Sequence, residues 1–113
     1  MPNEEHFATV SGPEALDALF ERSADGPVVL FLHDYYCPVS FAAYDEMVDV
    51  TGDIALIDVS AQKDLSKAVE KRTRVRHQSP QVIILGDGEP KWAASHYSIT
   101  AADVTDAIAE VAN

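Results

Sequence analysis

Apolar and polar positions recur along the chain with two different periods, and the switches between them mark out its elements. FATV (7–10) has the composition of a short first strand. SGPEALDALFERSADG (11–26) follows, with Leu16, Leu19 and Phe20 at the i, i+3, i+4 spacing of an amphipathic helix. Ser11 and Glu14 stand at capping-box spacing at its start, and Gly26 is placed to stop it. PVVLFL (27–32) is a continuous apolar run rich in β-branched and aromatic residues, the pattern of a central strand covered on both faces. A second helix is expected from about Pro38 to Asp49, with Phe41, Tyr44 and Val48 along one side. IALIDV (54–59) reads as another buried strand, and Leu65, Ala68 and Val69 mark a third helix. QVIIL (81–85), the turn GDGE (86–89) and PKWAASHYS (90–98) form an antiparallel hairpin pattern. TAADVTDAIAEVAN (100–113) closes the chain as a helix, with Thr100 and Asp103 at capping-box spacing and Val104, Ala107, Ile108 and Val111 facing inward.

The order is β-α-β-α-β-α-β-β-α. Its first half implies right-handed βαβ units with helices on both faces of a sheet, and its second half adds an antiparallel pair and a closing helix. That is the element order of an α/β, thioredoxin-like fold: a central mixed sheet flanked by helices. No repeat, linker or low-complexity segment interrupts it, so one domain is expected over residues 1–113.

Composition narrows the setting. The 113 residues are 47% hydrophobic, which suits a globular chain and not a disordered one. The apolar runs are too short to cross a bilayer. The N-terminal MPNEEHF is acidic and polar, unlike a secretory signal. A single cysteine rules out an internal disulfide, and the reducing cytoplasm is the expected location. The net charge of −11 disfavours nucleic acid and anionic membrane surfaces as partners. It fits first an ordinary solubilising surface, and second adaptation to a high-salt interior. Six of the eight basic residues, Lys63, Lys67, Lys71, Arg72, Arg74 and Arg76, fall close together, and KRTRVRH (71–77) makes a basic island.

HDYYCPVS (33–40) carries the lone cysteine between the central strand and the second helix. Cys37 therefore lies at a helix N-terminus, where free N–H groups and the helix dipole favour negative charge. The thiolate is the nucleophilic form of cysteine. A free cysteine is most often a small buried hydrophobe, but this strand-to-helix position favours a reactive thiol. Pro38 falls in the first turn, where a missing N–H costs nothing and a fixed φ helps the helix begin. Ser40 occupies the place of the second, resolving thiol in C-x-x-C redox motifs. Its hydroxyl can donate to a thiolate but forms no disulfide, so a second molecule must resolve any mixed disulfide on Cys37. In thioredoxin-like proteins a cis-proline precedes the fourth strand and packs against the active sulfur. Ser79–Pro80 stands there, and the Ser79 backbone is placed to pair with an extended substrate chain.

CPVS (37–40), VRHQSPQ (75–81) and SHYSIT (95–100) together resemble the corresponding stretches of the monothiol bacilliredoxins, in order and over almost the whole chain. The family motif is T-C-P-I-S; this chain has Tyr36 for the threonine and Val39 for the isoleucine. The resemblance implies a thioredoxin-like fold and a glutaredoxin-like activity toward bacillithiol, a cysteinyl-glucosamine-malate thiol. Proteins carrying bacillithiol as a mixed disulfide would be its substrates. Cys37 would be the nucleophile, bacillithiol or another small thiol the co-substrate, and no cofactor is implied. Tyr36 flanks the sulfur and bears on partner choice. Arg74, Arg76 and His77 precede Pro80 and are candidates to hold the malate carboxylates, while Lys71 and Arg72 read as plain surface.

The remaining polar residues carry weaker signals. His6, His33, His77 and His96 lack paired metal spacing, so no metal is expected. His33 ends the central strand, placed either to tune the thiol or to serve as a partly exposed hydrogen-bonder. His96 orders the last strand and the following helix start, and Trp92 and Tyr97 read as packing residues. Asp34 and Asp58, at strand ends, are candidates for proton transfer. Asp45, Glu46 and Asp49 read as a solvated helix face. Two other functions fit a lone thiol: an iron–sulfur carrier, against which Pro38 argues, and a redox-sensing or partner-binding module capped by a small thiol.

Overall fold

The computed structural model describes residues 6–113; the first five, part of the polar N-terminal stretch, lie outside the described residues. The elements are β1 (Phe7–Thr9), α1 (Pro13–Arg22), β2 (Val28–His33), α2 (Pro38–Val48), β3 (Ile54–Asp58), α3 (Lys63–Thr73), β4 (Gln81–Gly86), β5 (Glu89–Ser95), a 3₁₀ turn (His96–Ser98) and α4 (Ala101–Ala112). The strands form one sheet in the order β1-β3-β2-β4-β5. β1 and β2 each run parallel to β3, whereas β4 is antiparallel to β2 and to β5.

β2 is the centre of this sheet, and all its residues are buried. Successive strand side chains point to opposite faces, which sorts them into two cores. Val28, Leu30 and Leu32 join Leu16, Leu19 and Phe20 of α1 and Leu65 and Val69 of α3. Val29 and Phe31 join Ala43 and Met47 of α2 and Val104 and Ala107 of α4. The same alternation places His33 on the α2 side.

Several local expectations need correction. Ser11 and Glu14 do not form a capping box: α1 begins at Pro13 behind Gly12, with no side-chain cap. The Ser11 carbonyl instead accepts from Gln62 Nε2 at 3.2 Å. The helix also ends before Gly26, at Arg22. There the Ser23 hydroxyl donates to the Phe20 carbonyl at 2.5 Å and accepts from Gly88 N at 2.8 Å, pinning the helix end to the β4–β5 turn. That turn has positive φ at Asp87 and Gly88, 54° and 77°, as a two-residue hairpin of type I′ requires. The inward face of α2 is Ser40, Ala43 and Met47, one position round from the expected stripe; Phe41 is exposed and Tyr44 half-buried. β5 stops at Ser95 rather than Ser98, because His96 takes a φ of 54° and turns the chain into the 3₁₀ segment. Tyr97 consequently stands out 75% exposed instead of packing, while Trp92 does pack against the α2 and α4 core. Thr100 caps α4 as expected, accepting from Asp103 N at 3.2 Å.

These contacts predict a graded set of stabilities in urea. Phe31→Ala, at a fully buried site, should cost about 3–5 kcal/mol. Thr100→Ala should cost about 1 kcal/mol through the lost cap. Ser11→Ala should stay within about 0.5 kcal/mol of wild type. Denaturation midpoints at constant m-value check all three; a Ser11→Ala loss equal to that of Thr100→Ala would restore the capping box.

Candidate active site

Past His33 the chain reverses through Asp34–Cys37. Cys37 N donates to the Asp34 carbonyl at 3.1 Å, and Tyr36 N donates to Asp34 Oδ1 at 2.9 Å. Cys37 caps α2 from an extended conformation, half-buried, with Pro38 opening the helix. Its carbonyl accepts from Ser40 N and Phe41 N at 3.0 and 3.3 Å, which fixes the backbone beneath the sulfur. Tyr36, beside it, is 86% exposed.

Ser40 is fully buried and turned inward. Its Oγ accepts from Asp34 N at 2.9 Å and lies 2.7 Å from His33 Nδ1. Among the described residues no hydrogen bond joins it to the Cys37 sulfur; its bonds run to the strand end and the loop instead. Nor is His33 a partly exposed hydrogen-bonder: it is fully buried, its ring enclosed by those of Phe31, Tyr35, Phe41 and Tyr44. Burial pushes the imidazole below its ordinary value of 6.5, and the nearby Asp58 and Asp34 charges and the Ser40 contact only partly oppose this. Among the described residues His33 Nε2 has no hydrogen-bond partner. Both aspartates are occupied in turns. Asp34 Oδ1 holds Tyr36 N, and Asp58 Oδ1 accepts from Ser60 N, Ser60 Oγ and Ala61 N.

The Ser79–Pro80 bond is cis. Leu32 of β2 pairs with Gln81 of β4, so extending the antiparallel register by one residue sets Pro80 opposite His33, at the root of the cysteine loop. The buried Gln81 braces this segment: its Nε2 donates to the Arg76 carbonyl at 3.0 Å and its Oε1 accepts from Gln78 N at 3.3 Å. The Pro80 carbonyl accepts from His96 N at 3.0 Å, the ordering role expected of SHYS.

An open cleft of ≈ 690 Å³ lies between α3 and this loop, and Tyr36, His77 and Ser79 line it together. Arg76 is exposed and not on its walls, nor is Arg74, which ends α3 in a left-handed conformation. The cations that do line it are Lys63 and Lys67. They stand one helical turn apart, a spacing readable in the sequence but masked there by the denser basic island downstream. Arg72 is not plain surface: it pairs with Asp17 at 2.6 Å and lies 3.8 Å over the Phe20 ring, joining α3 to α1.

The profile of the family described as monothiol bacilliredoxin BrxC matches residues 8–104, most of the chain. The chain belongs to the monothiol bacilliredoxin family. A solved structure described as a candidate oxidoreductase with a thioredoxin fold is 25% identical, with a TM-score of 0.87 over 95% of this chain and 97% of that one. A mutant thioredoxin from Halobacterium salinarum NRC-1 is 19% identical, with a TM-score of 0.70 over 99% and 94%. Thioredoxin from Fasciola hepatica is 11% identical, with a TM-score of 0.71 over 91% and 97%. The fold is thus thioredoxin-like, and membership of the bacilliredoxin family gives the chain a thiol redox function.

Within this bacilliredoxin site, removing the Ser40 hydroxyl leaves Asp34 N and His33 Nδ1 unpaired in the interior. Ser40→Ala should cost about 1–3 kcal/mol. The depressed His33 titration has its own signature. The unfolded chain takes up a proton near pH 6.5, and the folded chain only at lower pH. The stability held by neutral His33 is therefore complete above that value and falls as acid is added below it. Urea midpoints at pH 7.5 and 5.5 should show this loss in wild type and a smaller one in His33→Phe; equal losses would mean that other groups set the acid sensitivity.

Proposed function

We propose that the protein is a monothiol thiol–disulfide oxidoreductase that strips bacillithiol from protein mixed disulfides. The observation that carries this reading is the pairing of a half-buried Cys37 at the start of α2 with a buried, hydrogen-bonded Ser40 where a resolving thiol would stand. Chemistry at this site needs an external thiol at every cycle.

The Cys37 thiolate attacks the bacillithiol sulfur of a protein–bacillithiol disulfide. That S–S bond breaks, and the target leaves as a thiolate that takes a proton from solvent. Cys37 then carries bacillithiol. A second bacillithiol thiolate attacks the bacillithiol sulfur of this adduct, giving bacillithiol disulfide and free Cys37. Neither step needs a cofactor or a metal. Tyr36 and Ser79 flank the path along which the adduct lies, and the Ser79 backbone pairs with the target chain. Such exchange suits a cytoplasm rich in reduced thiol. Among the described residues no helix is long and apolar enough to cross a membrane.

The deciding experiment follows removal of bacillithiol from a bacillithiolated test protein, with free bacillithiol supplied. Wild type should complete many turnovers, Cys37→Ser none, and a glutathionylated substrate should react more slowly. One stoichiometric transfer that stops would identify a sensor instead of a catalyst.

A further inference from the structure

The cleft beside Tyr36 and Ser79 is bounded on its far side by α3, and its charged groups are not equivalent. Glu70 Oε2 holds His77 N at 2.7 Å, and Asp34 Oδ1 holds Tyr36 N at 2.9 Å. Both carboxylates on the walls are thus bound to the protein's own backbone. Lys63 and Lys67, on the same walls, make no salt bridge among the described residues. Positions i and i+4 of a helix lie one above the other on one face, so the two ammonium groups rise from a single edge of the cleft. The Ser60 and Ser66 hydroxyls on these walls already donate to Asp58 Oδ1 and the Lys63 carbonyl, whereas His77 Nδ1 is buried there without a hydrogen-bond partner among the described residues. A chain with a net charge of −11 thus places two cations without a salt-bridge partner among the described residues at one cleft, next to the residue preceding its only thiol.

We propose that this cleft holds the carboxylate-bearing end of a small thiol while its sulfur is bonded to Cys37, with Lys63 and Lys67 as the cationic contacts. The proposal rests on Cys37 forming such an adduct, and it moves the anion contacts from Arg74 and Arg76 to α3. Two cations one turn apart suit a ligand with two carboxylates better than one with a single charge. A neutral thiol of similar size gains nothing from them. The cleft therefore selects the acidic thiol and leaves the exchange chemistry at Cys37 unchanged.

Two measurements test this, and the first needs no turnover. Cys37 is loaded chemically with mercaptosuccinate, a thiol bearing two carboxylates, or with neutral 2-mercaptoethanol, and amide resonances are compared. The mercaptosuccinate adduct should shift Lys63, Lys67 and His77 while the 2-mercaptoethanol adduct leaves them in place. Identical spectra would overturn the proposal, as would shifts seen only with a disulfide-linked acidic peptide, which would assign the cleft to the target polypeptide.

The second measurement is the ratio of kcat/KM for test proteins carrying bacillithiol or 2-mercaptoethanol. In Lys63→Gln/Lys67→Gln this ratio should fall roughly 3- to 10-fold, since exposed charge pairs are individually weak, and the fall should shrink in high salt. The exposed Lys71, outside the cleft, supplies the control: Lys71→Gln should keep the wild-type ratio. A wild-type ratio retained in the double variant overturns the cleft assignment while leaving the oxidoreductase reading intact. Failure of wild type on every adduct overturns that reading, and the resonance shifts still decide what the cleft holds.

Discussion

Only Asp34, Tyr35, Tyr36 and Cys37 separate the last residue of β2 from the first of α2, and one buried hydroxyl ties the two ends of that reversal together. Ser40 Oγ receives the Asp34 N–H at the start of the loop and meets His33 Nδ1 at the end of the strand. The Asp34–Cys37 backbone bond and the edge-on contact of the Tyr35 and Phe41 rings join the loop and the first turn of α2 as well, but only the Ser40 hydroxyl is buried among them. With it, the sulfur sits on a short span fixed at both sides. Positioning of this kind matters in thiol exchange, where three sulfurs must approach in line, and it comes here from a side chain whose hydrogen bonds run to His33 and Asp34.

The reversal is held from below by the same alternation that builds the core. β2 sends Leu30 and Leu32 toward α1 and α3, and Phe31 and His33 toward α2 and α4. His33 is thus the outermost member of an otherwise apolar row, enclosed by aromatic rings and kept neutral by desolvation. A polar group in such a place is costly unless bonded, and Ser40 supplies the bond. The inward face of α2 follows from this need. Once Ser40 points to His33, Ala43 and Met47 must follow it inward, and Phe41 is carried outward beside Tyr35.

This also explains what the sequence made legible and what it did not. Central strands, the β4–β5 hairpin and the Thr100 cap depend on local pattern, and each was readable from its own residues. The placement of Cys37 at a helix start and of Ser79–Pro80 before β4 followed from element order alone. The α1 cap failed because Pro13 can start a helix without Ser11. The rotation of α2 was hidden, because Phe41, Tyr44 and Val48 make the more apolar stripe, and only the long-range partner at His33 selects the other. Lys63 and Lys67 were overlooked for the same reason. Their cleft is formed by α3, the cysteine loop and the segment before β4, three parts of the chain brought together only by the fold.

The monothiol character of the site is therefore more than the lack of a second sulfur. A cysteine at position 40 would have to place a larger, weakly hydrogen-bonding atom where Oγ now sits 2.7 Å from His33 Nδ1 and 2.9 Å from Asp34 N. Those distances suit oxygen and are too short for a thiol. The sulfur would either push the imidazole into its aromatic surround or turn away and leave both nitrogens unpaired. His33 and Ser40 thus form one unit, in which a histidine at the strand end and a serine in the helix require each other. The unit fills position 40 with a group that cannot serve as a second thiol, and an open cleft lies beside Tyr36 on the other side of the loop.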